Sequence, residues 1–266
     1  MAKKIHVEYC VFEDPERLAR ETAQHFVEGI RSAAATRGVA RVAISGGSTP
    51  KRVFALLADE KEPFRAAIPW DRLRLFWVDE RCVPPDHPDS NYGAARDLLL
   101  SKVPVEPDDV VRIQGELDPE EAAAKYEAAI RGHFRLEGAE VPIFDMVQLG
   151  MGDDGHTASL FPHTEALGEM MRVAVANHVP QQKQSWRVTL TWPVINAARE
   201  VFFLIDGAKK ADPVGRVLTG SYDPETLPPQ LIQPQNGHLL FLLDRAAAAH
   251  LPAPNASGTG TLEIAR

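Results

Sequence analysis

Short apolar runs of strand length recur along this chain, with segments of helical spacing between them. The runs are Arg41–Ile44, Leu73–Val78, Phe144–Leu149, Arg187–Thr191, Val201–Ile205 and Leu239–Leu243. Several are continuously apolar rather than alternating, the pattern of strands covered on both faces. Between them, Pro15–Arg37 sets Leu18, Thr22, Phe26 and Ile30 in one stripe, and Pro119–Arg135 sets Tyr126, Ile130 and Phe134 in another. Thr49–Ala58 reads as a helix with Thr49 as N-cap and Pro50 at its first position. Ala208–Leu218 reads as a further helix, restricted or broken near its start by Pro213. Strands alternating with helices predict a doubly wound α/β domain.

No internal repeat or long linker divides the chain. Val83–Ser90 and the four-proline stretch Tyr222–Asn236 read as long loops over one end of the sheet. Pro252–Gly260 is small and polar, so the expectation is one domain over residues 1–252 and a loose tail over 253–266. The net charge is −8, and no run of five Lys or Arg occurs, which argues against a nucleic-acid footprint. Two cysteines, Cys10 and Cys82, exclude a disulfide framework and a four-cysteine zinc site. The opening Met-Ala-Lys-Lys-Ile-His-Val-Glu has no apolar h-region, and no uncharged apolar stretch reaches the ~18 residues of a membrane span. A cytoplasmic monomer with no nucleic-acid or membrane partner is expected.

Residues 148–162, Gln-Leu-Gly-Met-Gly-Asp-Asp-Gly-His-Thr-Ala-Ser-Leu-Phe-Pro, carry the strongest chemical signal. Strand, glycine turn and helix start together place side chains at the rim of a parallel sheet, where open α/β folds bind ligands. Gly150-Met-Gly-Asp-Asp-Gly155 fits G-x-G-x-x-G, but Asp153 and Asp154 put negative charge where a pyrophosphate must approach. Arg172–His178 also lacks the carboxylate that would hold a ribose, so a nicotinamide enzyme is disfavoured. His156, released where a helix would begin, is the candidate general base. Asp154 either orients its imidazole or braces the loop as an Asx turn. Ser159, one helical turn on, is a poor nucleophile because a helix interior does not expose it.

Ser45-Gly46-Gly47-Ser48-Thr49-Pro50 leaves one strand and opens a helix. Free backbone N–H groups, three hydroxyls and the helix dipole make an anion site there. No Walker sequence is present, which favours a phosphate monoester over a nucleoside triphosphate. Arg81 in Trp77-Val-Asp-Glu-Arg81, Arg187, and the Lys209-Lys210 pair stand at strand ends. Together they supply cations that suit a dianion. Neither a G-x-S-x-G elbow nor an H-E-x-x-H helix occurs.

These segments, with Ser90-Asn91, Gly207-Ala-Lys-Lys-Ala211 and Gly237-His-Leu-Leu-Phe-Leu-Leu-Asp244, resemble the glucosamine-6-phosphate isomerase/6-phosphogluconolactonase family, on its lactonase side. The likeness runs from about residue 8 to 250. It implies a single Rossmann-like domain with a mainly parallel sheet flanked by helices. It further implies hydrolysis of a small-molecule phosphosugar lactone, 6-phospho-D-glucono-1,5-lactone, with no metal and no organic cofactor. Residue by residue, the resemblance makes His156 the base and Arg81 the site arginine. It assigns phosphate binding to Ser45, Gly46, Gly47, Ser48, Thr49, Arg187 and Lys210, with Lys209 adjacent to the last. A deaminase or isomerase of phosphosugars is the competing reading, but Thr157–Pro162 lacks the acidic and asparagine residues of the deaminases. A non-catalytic sugar-phosphate sensor is a third, and no basic helix-turn-helix candidate precedes residue 40 to support it.

Overall fold

The computed structural model describes residues 4–265. In chain order its strands are β1 (Lys4–Phe12), β2 (Ala40–Ile44), β3 (Leu73–Trp77), β4 (Asp79–Arg81), β5 (Val110–Val111), β6 (Met146–Leu149), β7 (Ala174–His178), β8 (Trp186–Leu190), β9 (Glu200–Ile205), β10 (His238–Asp244) and β11 (Thr259–Ala265). Its helices are α1 (Pro15–Arg37), α2 (Ser48–Ala58), α3 (Pro63–Ala67), α4 (Asn91–Leu98), α5 (Pro119–Phe134), α6 (Trp192–Asn196) and α7 (Ala211–Thr219). The main sheet has the order β11-β1-β10-β9-β6-β2-β3-β5 and is parallel except where β11 joins β1. Among the described residues no helix is long and apolar enough to cross a membrane.

Local chemistry sets the helix limits. Asp14 caps α1 by accepting from the Arg17 N–H at 2.7 Å, Pro15 opens it, and Gly38 closes it at φ 78°. The α1 stripe expected from sequence is buried at Leu18, Thr22, Phe26 and Ile30. Thr49 is not a cap: the N-cap lies two residues earlier, at Gly47, which makes no side-chain bond, and α2 begins at Ser48. Pro213 does not break α7, because it falls in the first turn, where a missing N–H has no helical acceptor to leave unpaired. A 3-10 turn over Ala208–Lys210 precedes that helix.

Two expectations are corrected. The loose tail expected over 253–266 is not found in its described part, since Thr259–Ala265 forms an antiparallel edge strand from Lys4↔Ala265 to Cys10↔Thr259. Gly260 permits this, because the Tyr9 ring occupies the space a Cβ would need, and the Tyr9 hydroxyl donates to the Pro252 carbonyl at 2.9 Å. The Arg187–Thr191 run does not enter the main sheet. It forms β8, the centre of a separate antiparallel sheet ordered β4-β8-β7.

The chain leaves β2 toward β3 on one side and leaves β6 toward β9 on the other. The carboxyl ends of the adjacent strands β2 and β6 therefore flank a topological switch point, the usual crevice of such sheets. Buried Gln148 spans it, accepting from the Ser45 N–H at 3.0 Å and donating to Ser45 Oγ at 2.7 Å and the Leu149 carbonyl at 3.0 Å.

Tyr126 of α5 fixes the neighbouring strand end. Its hydroxyl accepts from the Trp77 N–H at 2.8 Å and donates to the Trp77 carbonyl at 2.6 Å, both buried. Tyr126→Phe leaves both backbone groups unsatisfied where β3 ends. The expected loss of unfolding free energy is about 1–3 kcal/mol, measurable by urea denaturation, with secondary structure unchanged in the folded protein.

Candidate active site

The glycine turn after β6 is built around His156. Gly152 N–H donates to the His156 carbonyl at 2.8 Å, Gly155 N–H to the Gly152 carbonyl at 3.1 Å, and Thr157 Oγ1 to the Gly150 carbonyl at 2.8 Å. Gly155 sits at φ 83°, which an L side chain resists. At Gly152 a Cβ would lie 2.1 Å from His156 Nδ1, so only glycine leaves the imidazole its place. The expected helix after His156 is absent. Thr157 and Leu160 form a bridge around a tight turn, with Ala158 at φ 49°. Ser159 is fully buried and donates from Oγ to Asp79 Oδ2 at 2.7 Å, which removes it from any pairing with the histidine.

Asp154 does both things its sequence position allowed. Its Oδ1 accepts from the His156 backbone N–H at 3.2 Å and meets His156 Nδ1 at 2.5 Å. Partial burial raises the Asp154 carboxyl, but hydrogen bonds and charge from His156 outweigh it and hold the group below the ordinary aspartate value. A carboxylate at Nδ1 fixes the tautomer with the proton on Nδ1, which leaves Nε2 as the basic nitrogen. The imidazole face stacks on Phe161 with centroids 3.9 Å apart and planes inclined by 19°.

A cavity of about 330 Å³ opens beside this imidazole at the switch point. The Ser45–Thr49 loop forms one wall, Arg81, Arg187 and Asn91 another, and Asp206 and Lys210 a third. Asp154 lies outside the lining and reaches the cavity through His156. Lys210 lines it and pairs with Asp153, whereas Lys209 is exposed elsewhere. Among the described residues His156 is the sole histidine of the lining. No cluster of three or more His, Cys, Asp or Glu side chains among these residues is arranged to hold a metal ion.

Several of these groups already have protein partners. The Thr49 hydroxyl donates to Asp206 Oδ1, and Ser45 spends its N–H on Gln148, so the loop offers chiefly the backbone N–H groups at the uncapped start of α2. Arg52 Nη1 also bonds Asp206, at 2.6 Å. The arginines are directly opposed, Arg81↔Arg187, across the β4–β8 ladder. Arg187 is buried, which draws its guanidinium below the ordinary value, yet arginine stays cationic in proteins. It lies 5.6 Å from the Phe161 centroid. Arg81 Nε is buried without a hydrogen-bond acceptor. The two opposed cations repel across the ladder, and the charges of Asp79 and Glu80 offset part of that repulsion at Arg187.

Sequence reading missed Asp79, Asn91, Phe161 and Asp206. Asp79 bonds Ser159 and accepts from Asn91 Nδ2 through its carbonyl at 3.0 Å, which shapes the arginine wall. Next to it, buried Glu80 accepts from the N–H groups of Arg81, Asn91 and Tyr92 and from Ser90 Oγ, at 2.7–3.0 Å, and so anchors the start of α4. Burial lifts its carboxyl above the ordinary value despite those bonds. The Trp77–Arg81 string signalled charge at a strand end but not this division of labour. Cys82 is no nucleophile, since burial and the nearby Glu80 push its thiol up to about 12.

The lowered Asp154 carboxyl makes stability depend on pH. Its ionised form is favoured in the folded protein, so its contribution is complete above the ordinary value of 3.8 and fades as pH falls through the lower folded value. Denaturation of wild type and Asp154→Asn across acid pH should therefore show a stability gap near neutrality. The gap should narrow below about pH 4.

A family model described as glucosamine-6-phosphate isomerases/6-phosphogluconolactonase matches residues 13–241. A 6-phosphogluconolactonase of Synechocystis is 42% identical over 223 residues, covering 84% of this chain and 89% of that protein. One from Nostoc is 40% identical over 242 residues, covering 91% and 97%. The solved 6-phosphogluconolactonase of Trypanosoma cruzi superposes with a TM-score of 0.78 at 32% identity, over 91% of this chain and 96% of that one. With the sheet order, the switch-point cavity and these matches in agreement, the chain belongs to the glucosamine-6-phosphate isomerase/6-phosphogluconolactonase family.

Proposed function

We propose that this chain hydrolyses 6-phospho-D-glucono-1,5-lactone to 6-phosphogluconate, the second step of the oxidative pentose phosphate pathway, as a cytoplasmic monomer. The observation that carries the proposal is a histidine with a carboxylate on Nδ1 and, among the described residues, no hydrogen-bond partner on Nε2, lining a cavity walled by two opposed arginines and a helix start. The relatives named as 6-phosphogluconolactonases support the same reaction.

The phosphate is a dianion, and the cavity offers it the α2 N–H groups, Arg187 and Lys210. Held there, the sugar ring brings C1 toward His156. Nε2 takes a proton from water as the water oxygen bonds to C1, and the carbonyl π pair moves onto its oxygen. Arg81 is the fitting donor for that oxyanion, because its side chain lines the cavity while the N–H groups of Gly152 and Gly155 are spent inside the turn. When the tetrahedral centre collapses, the C1–ring oxygen bond breaks and the imidazolium returns its proton to the departing oxygen. Asp154 stabilises the imidazolium between the two transfers. A lactone is an activated ester, so a base and an oxyanion donor suffice and no covalent intermediate is required.

A deaminase or isomerase would require a carboxylate base for a carbon-bound proton. The cavity's carboxylates are committed instead: Asp79 to Ser159, Asp153 to Lys210 and Asp206 to Thr49 and Arg52.

The test is lactone hydrolysis coupled to 6-phosphogluconate dehydrogenase. His156→Ala should lower kcat by ~10²–10⁴ with little change in KM. Arg81→Ala should lower it by ~10²–10³. Turnover by His156→Ala within a few-fold of wild type overturns the base, and ready ammonia release from glucosamine 6-phosphate overturns the reaction.

A further inference from the structure

The opposed pair Arg81↔Arg187 poses a mechanical problem. Like charges directly across a strand pair repel, so other contacts must hold these side chains side by side. Each is pinned by one backbone carbonyl. Arg81 Nη1 donates to the Asp89 carbonyl at 2.6 Å, and Arg187 Nε donates to the Gln184 carbonyl at 2.9 Å. The two carbonyls sit on different loops. Asp89 lies between β4 and α4, and Gln184 lies at the tip of the β7–β8 hairpin.

One carboxylate joins the loops. Asp89 Oδ2 accepts from Gln184 Nε2 at 3.1 Å and from Lys183 Nζ at 3.2 Å. The Asp89 backbone N–H donates to His87 Nδ1 at 3.1 Å, which steadies its own loop. The contacts close a circuit: Arg81 to the Asp89 carbonyl, Asp89 carboxylate to the Gln184 side chain, Gln184 carbonyl to Arg187, and Arg187 back to Arg81 through the ladder. Asp89 stays outside the cavity lining.

We propose that the Asp89 carboxylate is a positioning group: it clasps the β7–β8 hairpin so that Gln184 holds Arg187 beside Arg81, and thereby sets affinity for the anionic end of the substrate. The proposal rests on the lactonase reading for the identity of that substrate. Removing the carboxylate leaves the Asp89 carbonyl on Arg81 but frees the hairpin tip that pins Arg187. Binding then bears the cost of ordering Arg187 against its neighbour's charge. His156 and Asp154 belong to a different loop and keep their geometry. The effect therefore falls on KM and not on kcat.

The experiment compares wild type, Asp89→Ala, Asp89→Asn, Gln184→Ala and the double alanine variant. Steady-state lactone hydrolysis gives KM and kcat, and calorimetry gives the Kd of 6-phosphogluconate and of inorganic phosphate. Asp89→Ala should raise KM and both Kd values roughly fivefold to tenfold, with kcat within about twofold. Asp89→Asn keeps an acceptor for Gln184 and should recover most of the loss. The double variant should be no weaker than either single one, because both cut the same circuit. Unchanged Kd values in Asp89→Ala, strictly additive losses, or a fall in kcat at constant KM each overturn the clasp. Failure of the wild type to hydrolyse the lactone overturns the substrate reading alone, since the phosphate Kd ratios still report on the clasp.

Discussion

The buried amide of Gln148 is the constraint on which the site depends. Two chain segments that leave neighbouring strands in opposite senses must stay in register at the switch point. They have no backbone ladder of their own there. Gln148 supplies the missing pairing: one amide satisfies the Ser45 N–H, the Ser45 hydroxyl and the Leu149 carbonyl. A fully buried primary amide is tolerable only when both its ends are bonded, and here they are. The start of α2 and the turn that carries His156 are thereby fixed relative to each other.

The second sheet solves a different problem. A parallel sheet alone offers helix starts and loops at its rim, but few rigid positions for long cationic side chains. The small β4-β8-β7 sheet brings two arginines to adjacent ladder positions, and Asp79 and Glu80 fasten it to the rest. Asp79 reaches the turn after His156 through Ser159, while Glu80 gathers the start of α4. Both carboxylates are buried, and each is used for fastening through hydrogen bonds. His156, the start of α2 and the arginine wall thus come from three separately anchored pieces around one cavity.

What the sequence disclosed follows from this division. α1 was legible to the residue because Asp14, Pro15 and Gly38 mark its ends chemically. The largely apolar central strands were legible because burial on both faces favours apolar side chains. β1 was missed since Lys-Ile-His-Val-Glu-Tyr carries polar residues between its apolar ones, and β4 because three charged residues do not look like a strand. The turn after His156 read as a helix because nothing local marks Ala158 for positive φ; buried contacts of Thr157 and Ser159 impose it. Glycines and charges announced a site around His156, Arg81 and the Ser45–Thr49 loop. The bonds from Thr49 to Asp206 and from Gln184 to Asp89 join residues remote in sequence, and only the fold reveals them.

The placement of β1 bears on how this protein is made. The strand nearest the amino terminus lies between β10 and β11, the last two in chain order. A ribosome releases β1 long before either neighbour exists, so its peptide groups wait on water or on chaperones. The β2–β3 pair, joined through residues 45–72, can assemble meanwhile. Closure of the β1–β10–β11 edge is then the slow, late event of biogenesis, set by loop closure over nearly the entire polypeptide.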